Sequence, residues 1–270
     1  MSVFIKFAVI GAGGVGGTVV DELLKKYSSV AILTRAFKAR GATLYQVSYD
    51  DEATVTKALC GSDVVVNTVA AYFIKEQRVI ISAVKVAGIQ LFVPSEYGVR
   101  VTKGPNVIKR QVQDLLTQHQ IPFIIFYTGI FAELLSTFLD YHYDEGYMNV
   151  MGKGETAFSI TARTDVGRFV AHVLATAPRN KLEGAKIPFE AERLSALQIR
   201  DLAEKKLDKM IEVCLIDYEE NKKKFDTGYP AFLTTLFEDG RGAVGTEQEV
   251  QQSVAEFFPD WKPVKYESFI

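Results

Sequence analysis

Phe4-Ile5-Lys6-Phe7-Ala8-Val9-Ile10 runs directly into Gly11-Ala12-Gly13-Gly14-Val15-Gly16-Gly17, and this junction decides the fold. The apolar run is dense in residues that suit a sheet interior and predicts a buried strand over 4–10. Past the glycines, Val15, Val19, Val20, Leu23 and Leu24 recur at helical spacing and predict a helix over 15–27. Gly11, Gly13 and Gly16 satisfy GxGxxG; Gly11, Gly14 and Gly17 satisfy GxxGxxG equally. In such a loop the first glycine permits the tight turn. The middle one lets the backbone approach a pyrophosphate, and the last packs the helix on the strand. The helix start offers free N–H groups and its positive dipole end to the phosphates. The expected ligand is a nicotinamide dinucleotide.

The alternation continues outward from this loop. Strands are predicted over 30–33, 63–69, 91–94 and 122–127, with helices over 53–59, 77–86 and 106–119 between them. Strand and helix in strict turn give an α/β fold, a doubly wound parallel sheet of Rossmann type with right-handed crossovers. Beyond about residue 135 the pattern loosens. Helices are predicted over 164–175 and 197–207, and Met151 to Glu155 reads as the tip of a glycine-rich hairpin. The expected division is therefore a nucleotide-binding Rossmann domain over 1–135 and a smaller substrate-side region over 136–270, packed on the first and partly interleaved with it.

The end of the second strand discriminates between cofactors. An NAD site places a carboxylate there to accept from the ribose diol. This chain has Thr34-Arg35, followed by Lys38 and Arg40. A guanidinium cannot accept from hydroxyls, but it matches a 2′-phosphate through charge-assisted bonds. NADPH (NADP) is the expected cofactor.

Composition removes several other functions. Among 270 residues, 31 basic side chains face 33 acidic ones, for a net charge of −2, so no nucleic-acid partner is expected. Cys60 and Cys214 show no metal-ligand spacing, nor do His119, His142 and His172, and no metal is expected. No GxSxG elbow is present to receive a histidine triad. The opening apolar run reads as a strand rather than a signal peptide, and no later run approaches the ~20 residues of a membrane span. A soluble, cytoplasmic monomer or homodimer acting on a small-molecule substrate is expected, with no membrane partner.

Leu91-Phe92-Val93-Pro94-Ser95-Glu96-Tyr97-Gly98 is the most distinctive stretch. It resembles the strand-end Pro-Ser-Glu-Phe-Gly motif of the isoflavone reductase-like proteins. These are NmrA-like atypical short-chain dehydrogenases that include phenylcoumaran benzylic ether and pinoresinol–lariciresinol reductases. Asp63 to Val69, Gln77 with its helix and Gly88, Phe131-Ala132, Asp165-Val166-Gly167 and the closing Phe258-Pro259-Asp260-Trp261-Lys262-Pro263 are similar to family segments as well.

The resemblance implies a catalytic lysine twelve residues before the Ile-Pro that leads into the fifth strand. Here Ile121-Pro122 supplies the lead-in and Lys109 the lysine. It further implies a cofactor cleft with Gly11, Gly13, Gly14, Val15 and Gly16 in the loop and Thr34 and Arg35 after the second strand. Thr68, Val69 and Ala70 follow the third strand, Pro94 and Ser95 the fourth. Thr128, Gly129 and Phe131 follow the fifth, with Lys109 reaching in from its helix. Two departures stand out: the stretch from Gly98 to Lys109 is shorter than in the plant ether reductases, and Ser48 replaces an acidic residue near Asp50 and Asp51.

Tyr218-Glu219-Glu220-Asn221-Lys222 matches the spacing of the Tyr-x-x-x-Lys pair of typical short-chain dehydrogenases, but its charged setting reads as an exposed helix. Of the aromatics after the fifth strand, only Phe131 is expected to face the pocket. Two function classes remain: an NADPH-dependent reductase of a small aromatic or conjugated substrate with Lys109 as general acid/base, or an NmrA-like sensor that binds the cofactor without turnover.

The Arg35 reading has a direct consequence. NADPH should bind roughly tenfold to a hundredfold more tightly than NADH, the effect of one bond to an ionised group. Titrating both cofactors against wild type and Arg35→Ala checks this; equal affinities would remove Arg35 from the site.

Overall fold

The computed structural model describes residues 3–26, 29–34, 41–70 and 73–270. Strand β1 (Lys6–Ile10) turns through the glycines into helix α1 (Gly14–Lys25), followed by β2 (Ser29–Thr34), β3 (Thr43–Gln46) and α2 (Glu52–Leu59). Next come β4 (Val64–Asn67), α3 (Ile74–Val86), β5 (Leu91–Val93), α4 (Val107–Gln118) and β6 (Ile125–Tyr127). The sheet runs β3-β2-β1-β4-β5 with every neighbour parallel. Phe92 bridges in parallel to Phe123, which leads the chain into β6 alongside β5. The strand order reverses direction at β1, so the crevice of the sheet opens beyond the C-terminal ends of β1 and β4.

Side chains alternate across the sheet, and each parity has its own cover. Phe7, Val9, Ile32, Val64 and Val66 pack toward α1 and the later helix α6. Ala8, Ile10, Leu33, Val65 and Phe92 pack toward α2, α3 and α4 through Leu59, Ile81 and Leu116. Both faces are apolar because both are buried, which is why the strands read as near-continuous runs rather than as alternation.

The second half continues with β7 (Ile130–Phe131), α5 (Leu135–Leu139), β8 (Tyr141–His142), β9 (Tyr147–Met151), β10 (Phe158–Thr161) and α6 (Arg163–Thr176). It closes with β11 (Lys186–Pro188), β12 (Glu192–Leu194), α7 (Ala196–Leu207), β13 (Glu212–Ile216), α8 (Tyr218–Lys222), α9 (Tyr229–Glu238) and α10 (Glu247–Phe257). Helix α7 starts on a capping box, with Ser195 and Gln198 each satisfying the other's backbone N–H. Elements of the second half return to the first: β11 pairs in parallel with β6, and α6 lies against α1.

The hairpin expected at Met151 to Glu155 does not form. β9 pairs with β8 and β13, while β10 pairs with β7 and β12. Gly152 and Gly154 both have positive φ, and the loop turns its Lys153 and Gly154 N–H groups onto the Glu238 carboxylate of α9. A charged acceptor on a distant helix therefore takes the donors that a local hairpin would have used.

Gly167 sits where α6 packs tightly on α1. A Cβ there would lie 2.5 Å from the Thr18 Cβ and 3.1 Å from the Val19 backbone nitrogen. The gain in helix propensity from Gly167→Ala should be outweighed by overpacking, typically about 1–3 kcal/mol. A lowered unfolding temperature checks this; an unchanged or raised one contradicts the close packing.

Candidate active site

The first glycine turn is built by contacts that leave no room for side chains. Gly11 sits at φ +89, and its N–H donates to the Leu33 carbonyl at 2.9 Å. A Cβ on Gly16 would meet the Gly11 carbonyl oxygen at 2.3 Å and the Thr68 Oγ1 at 2.5 Å. Gly16 therefore packs helix on strand, the part played by the last glycine of the GxGxxG set. Gly13 differs: a Cβ there would meet nothing within 4 Å. It is the N-cap of α1 with no side chain capping the helix. The start of α1 thus keeps N–H groups that no side chain caps, next to open space at Gly13, which is where an anion can bind. Thr68 holds the turn from below, its hydroxyl donating to the carbonyls of Ile10 at 2.9 Å and Gly11 at 3.1 Å.

A cavity of about 770 Å³ extends from this loop to the start of α9. Of the residues expected in the cleft, Gly13, Gly14, Val15, Gly16, Thr68, Ala70, Ser95, Lys109, Gly129 and Phe131 line it. Five others stand behind the wall. Gly11 forms the turn, and Thr34 is buried at the end of β2. Val69 packs into the core with its N–H on Asn67 Oδ1, and Pro94 and Thr128 are buried. Arg35, with Lys38 and Arg40, lies outside the described residues. Gly129 at φ +73 shows why a glycine follows β6: a Cβ would stand 2.1 Å from the Ser159 carbonyl oxygen.

Lys109 projects from α4 onto the Pro-Ser-Glu-Tyr-Gly turn after β5. Its Nζ donates to the Glu96 carbonyl oxygen at 2.5 Å and would be 3.2 Å from a Cβ on Gly98. Glycine at 98 is what admits the lysine. Burial pushes the Lys109 pKa below its ordinary value, and the nearby Glu96 charge works against that shift. The Glu96 side chain is itself buried, with Oε1 accepting from Gln113 Nε2 at 2.9 Å and Oε2 without a partner. Beside it, Tyr97 has a buried hydroxyl with no partner, and burial holds its phenol well above the usual range. Glu96, Tyr97 and Lys109 all line the cavity, and with the phenol held neutral, Lys109 is the cation that the cavity has at this turn.

Several lining residues escaped the sequence reading. Phe138 lines the cavity along with Phe131, correcting the expectation for Phe131 alone, while Phe126, Tyr127, Tyr141 and Tyr143 are core. Tyr229, Leu233 and Phe237 of α9 form the far wall, and Phe138 meets the Tyr229 ring edge-on at 5.7 Å between centroids. Their spacing of four residues was a readable signal. Which surface that stripe faces depends on how the second half folds back. Arg163, at the start of α6, lies over Gly14 and also lines the cavity. Tyr218 and Lys222 are away from it, on α8, with Lys222 Nζ 5.3 Å from the Tyr218 ring centroid. Among the described residues no cluster of His, Cys, Asp and Glu could hold a metal, and no helix is long and apolar enough to cross a membrane.

Comparison with known proteins agrees with this arrangement. The NmrA-like family profile matches residues 5–270. The phenylcoumaran benzylic ether reductase PT1 of Pinus taeda is 29% identical over 224 residues, covering 77% of this chain and 71% of its own. Oxidoreductase aprR of Aspergillus flavus is 32% identical over 189 residues, covering 63% of this chain and 64% of its own. Among solved structures, the binary complex of leucoanthocyanidin reductase with NADPH from Vitis vinifera aligns with a TM-score of 0.81. That match covers 97% of this chain and 96% of the other at 22% identity, and it speaks for a shared fold. With the glycine turn, the parallel sheet and a profile match over nearly its whole length, the chain belongs to the NmrA-like family.

Proposed function

We propose that this chain is an NADPH-dependent reductase acting on a small aromatic or conjugated acceptor, with Lys109 as the group that meets the charge developing on that acceptor. The observation that carries the reading is the placement of Lys109: its Nζ is fixed at the Glu96 carbonyl, on the wall of the cavity that begins at the glycine loop. A pure sensor has no need of a buried, desolvated amine there. The names of the relatives, reductases of phenolic plant metabolites and a fungal oxidoreductase, point the same way.

The residues present fit the dinucleotide. Open space above Gly13 and the uncapped start of α1 suit its phosphates, and Phe131 offers a flat apolar surface on the same wall. When bound, NADPH supplies the hydride. The chain's own task is to place the acceptor and to answer the negative charge formed on it. Phe131, Phe138, Leu233 and Phe237 give an apolar slot that excludes water and favours a planar ring. Lys109 uses one of its three donors on the Glu96 carbonyl and keeps the others for an acceptor oxygen. As an ammonium it donates a proton to the forming alkoxide or enolate, which contributes about 10²–10⁴-fold in rate.

The working form sets the pH dependence. Burial lowers the Lys109 pKa from 10.5, and Glu96 opposes this. Turnover should therefore fall as pH rises through that lowered value. Removing the opposing charge in Glu96→Gln should move the falling limb to lower pH; a limb that does not move separates Glu96 from the chemistry. Lys109→Met keeps the stem and removes the charge. It should bind NADPH within a few-fold of wild type while kcat falls about 10²–10⁴-fold on a substrate found in a panel of quinones, enones, aromatic aldehydes and phenolic benzylic ethers. Equal turnover by the variant would make Lys109 a structural lysine. Tight NADPH binding by a wild type that reduces none of the panel would favour the sensor.

The glycine loop separates binding from folding. Gly13→Val should fold with an unfolding temperature near wild type yet lose NADPH affinity, because its side chain enters the open space above the loop. Gly16→Val should destabilise the fold itself, because its Cβ collides with backbone. Normal NADPH binding by Gly13→Val would place the phosphates elsewhere.

A further inference from the structure

We propose that Arg163 is a pyrophosphate-binding residue, a cation brought from the second half of the chain to close over the glycine loop and held in position by Glu133. The proposal rests on the dinucleotide-binding reading above and extends it to a residue outside the glycine loop and the β-strand ends that build the cleft.

Three observations place the side chain. Measured from a Cβ built on Gly14, Arg163 Cδ is at 2.8 Å, Nη1 at 3.0 Å and Nε at 3.1 Å, so the guanidinium lies against the first residue of α1. A Cβ built on neighbouring Gly13, at the uncapped start of α1, would meet no atom of a distant residue within 4 Å. A phosphate seated there would have the loop on one side and Arg163 on the other. The Arg163 side chain keeps 36% of its exposure, enough for a ligand to reach it.

Glu133 supplies the orientation. Its carboxylate accepts the Arg163 backbone N–H at 3.0 and 3.1 Å, which caps α6 in place of Ala162, an N-cap residue with no side chain to offer. The same carboxylate stands 3.6 Å from Arg163 Nε. One anion thus holds both the Arg163 backbone N–H and the Nε edge of the guanidinium, with Nη1 beside the loop. A fork held at its base is pre-organised for a planar, two-oxygen acceptor, and little side-chain entropy remains to be lost on binding.

Charge gives the reason for such a residue. A dinucleotide pyrophosphate carries two negative charges, and the loop answers them only with N–H groups and a helix dipole. Among the described residues that line the cavity, Lys109 and Arg163 are the cations, and Lys109 is tied to the turn at Gly98. Arg163 is the one placed at the glycine loop.

The test is binding. Wild type, Arg163→Met and Arg163→Gln are titrated by calorimetry with NADPH and with adenosine 2′-phosphate, which has the 2′-phosphate but no pyrophosphate. Both variants should bind NADPH roughly tenfold to a hundredfold more weakly and bind adenosine 2′-phosphate within about twofold of wild type. Glu133→Gln, which keeps acceptors for the helix N–H but removes the charge, should show a smaller loss of the same kind. NADPH affinity that is unchanged or tighter in the Arg163 variants overturns the proposal while leaving the dinucleotide reading intact. An equal loss for both ligands overturns it as well, since the damage would then be general. If wild type binds no NADPH, the dinucleotide reading fails, and the proposal with it. Should Arg163→Met not fold, Arg163→Gln alone decides between these outcomes.

Discussion

The approach of α1 to β1 at Gly16 governs the rest of the molecule. A carbonyl oxygen 2.3 Å from where a Cβ would be leaves a single residue type possible at that position. The closeness has consequences in each direction. It brings the N-terminus of α1 to the mouth of the sheet, where its uncapped N–H groups are free. It places Thr68 under the turn, with one hydroxyl serving two carbonyls. It also exposes the outer face of α1 to a second intimate contact, Gly167 of α6 against Thr18 and Val19. Without the first contact the second would have no partner at the right height. Arg163, one helical turn before Gly167, would then not lie over the loop.

The cavity that results is asymmetric in chemistry. The glycine-loop end offers N–H groups, an open volume and an arginine. The far end is aromatic and aliphatic, contributed by α5 and α9, with a lysine between the two. Burying that lysine costs free energy, and the chain offsets the cost with the Glu96 charge, itself anchored by Gln113 one turn further along α4. Such an arrangement is poor for stability, since Glu96 Oε2 and the Tyr97 hydroxyl are left buried without partners. Local cost of this kind concentrates where a protein acts on something else. The connection between Gly98 and Lys109 belongs to the same picture. A Cβ on Gly104 would approach Phe225 and Phe232 to 3.3 Å or less, so this segment rests directly on the α8–α9 region and brings α9 in as a wall.

Much of this was legible in the residues themselves. The parallel sheet and the glycine turn were readable, because each depends on short-range rules; the short, largely exposed β3 was not among the predicted strands, and Lys109 was named by resemblance to the family. Periodicity reports which face is buried, and a glycine string reports a close backbone approach. What tertiary structure alone decided is every contact between distant stretches. The packing role of Gly16 needed its distance to Gly11. The loss of the 151–155 hairpin needed a carboxylate 85 residues from Lys153. The cavity wall of Tyr229, Leu233 and Phe237 carried a helical stripe, but periodicity names a buried face without naming what covers it. Arg163 carried no local signal at all: its role arises because α6 packs on α1, and that packing is a property of two glycines and a threonine more than a hundred residues apart. Sequence spacing encodes geometry within an element; the juxtaposition of elements is set by the packing of the whole core, and the site is made there.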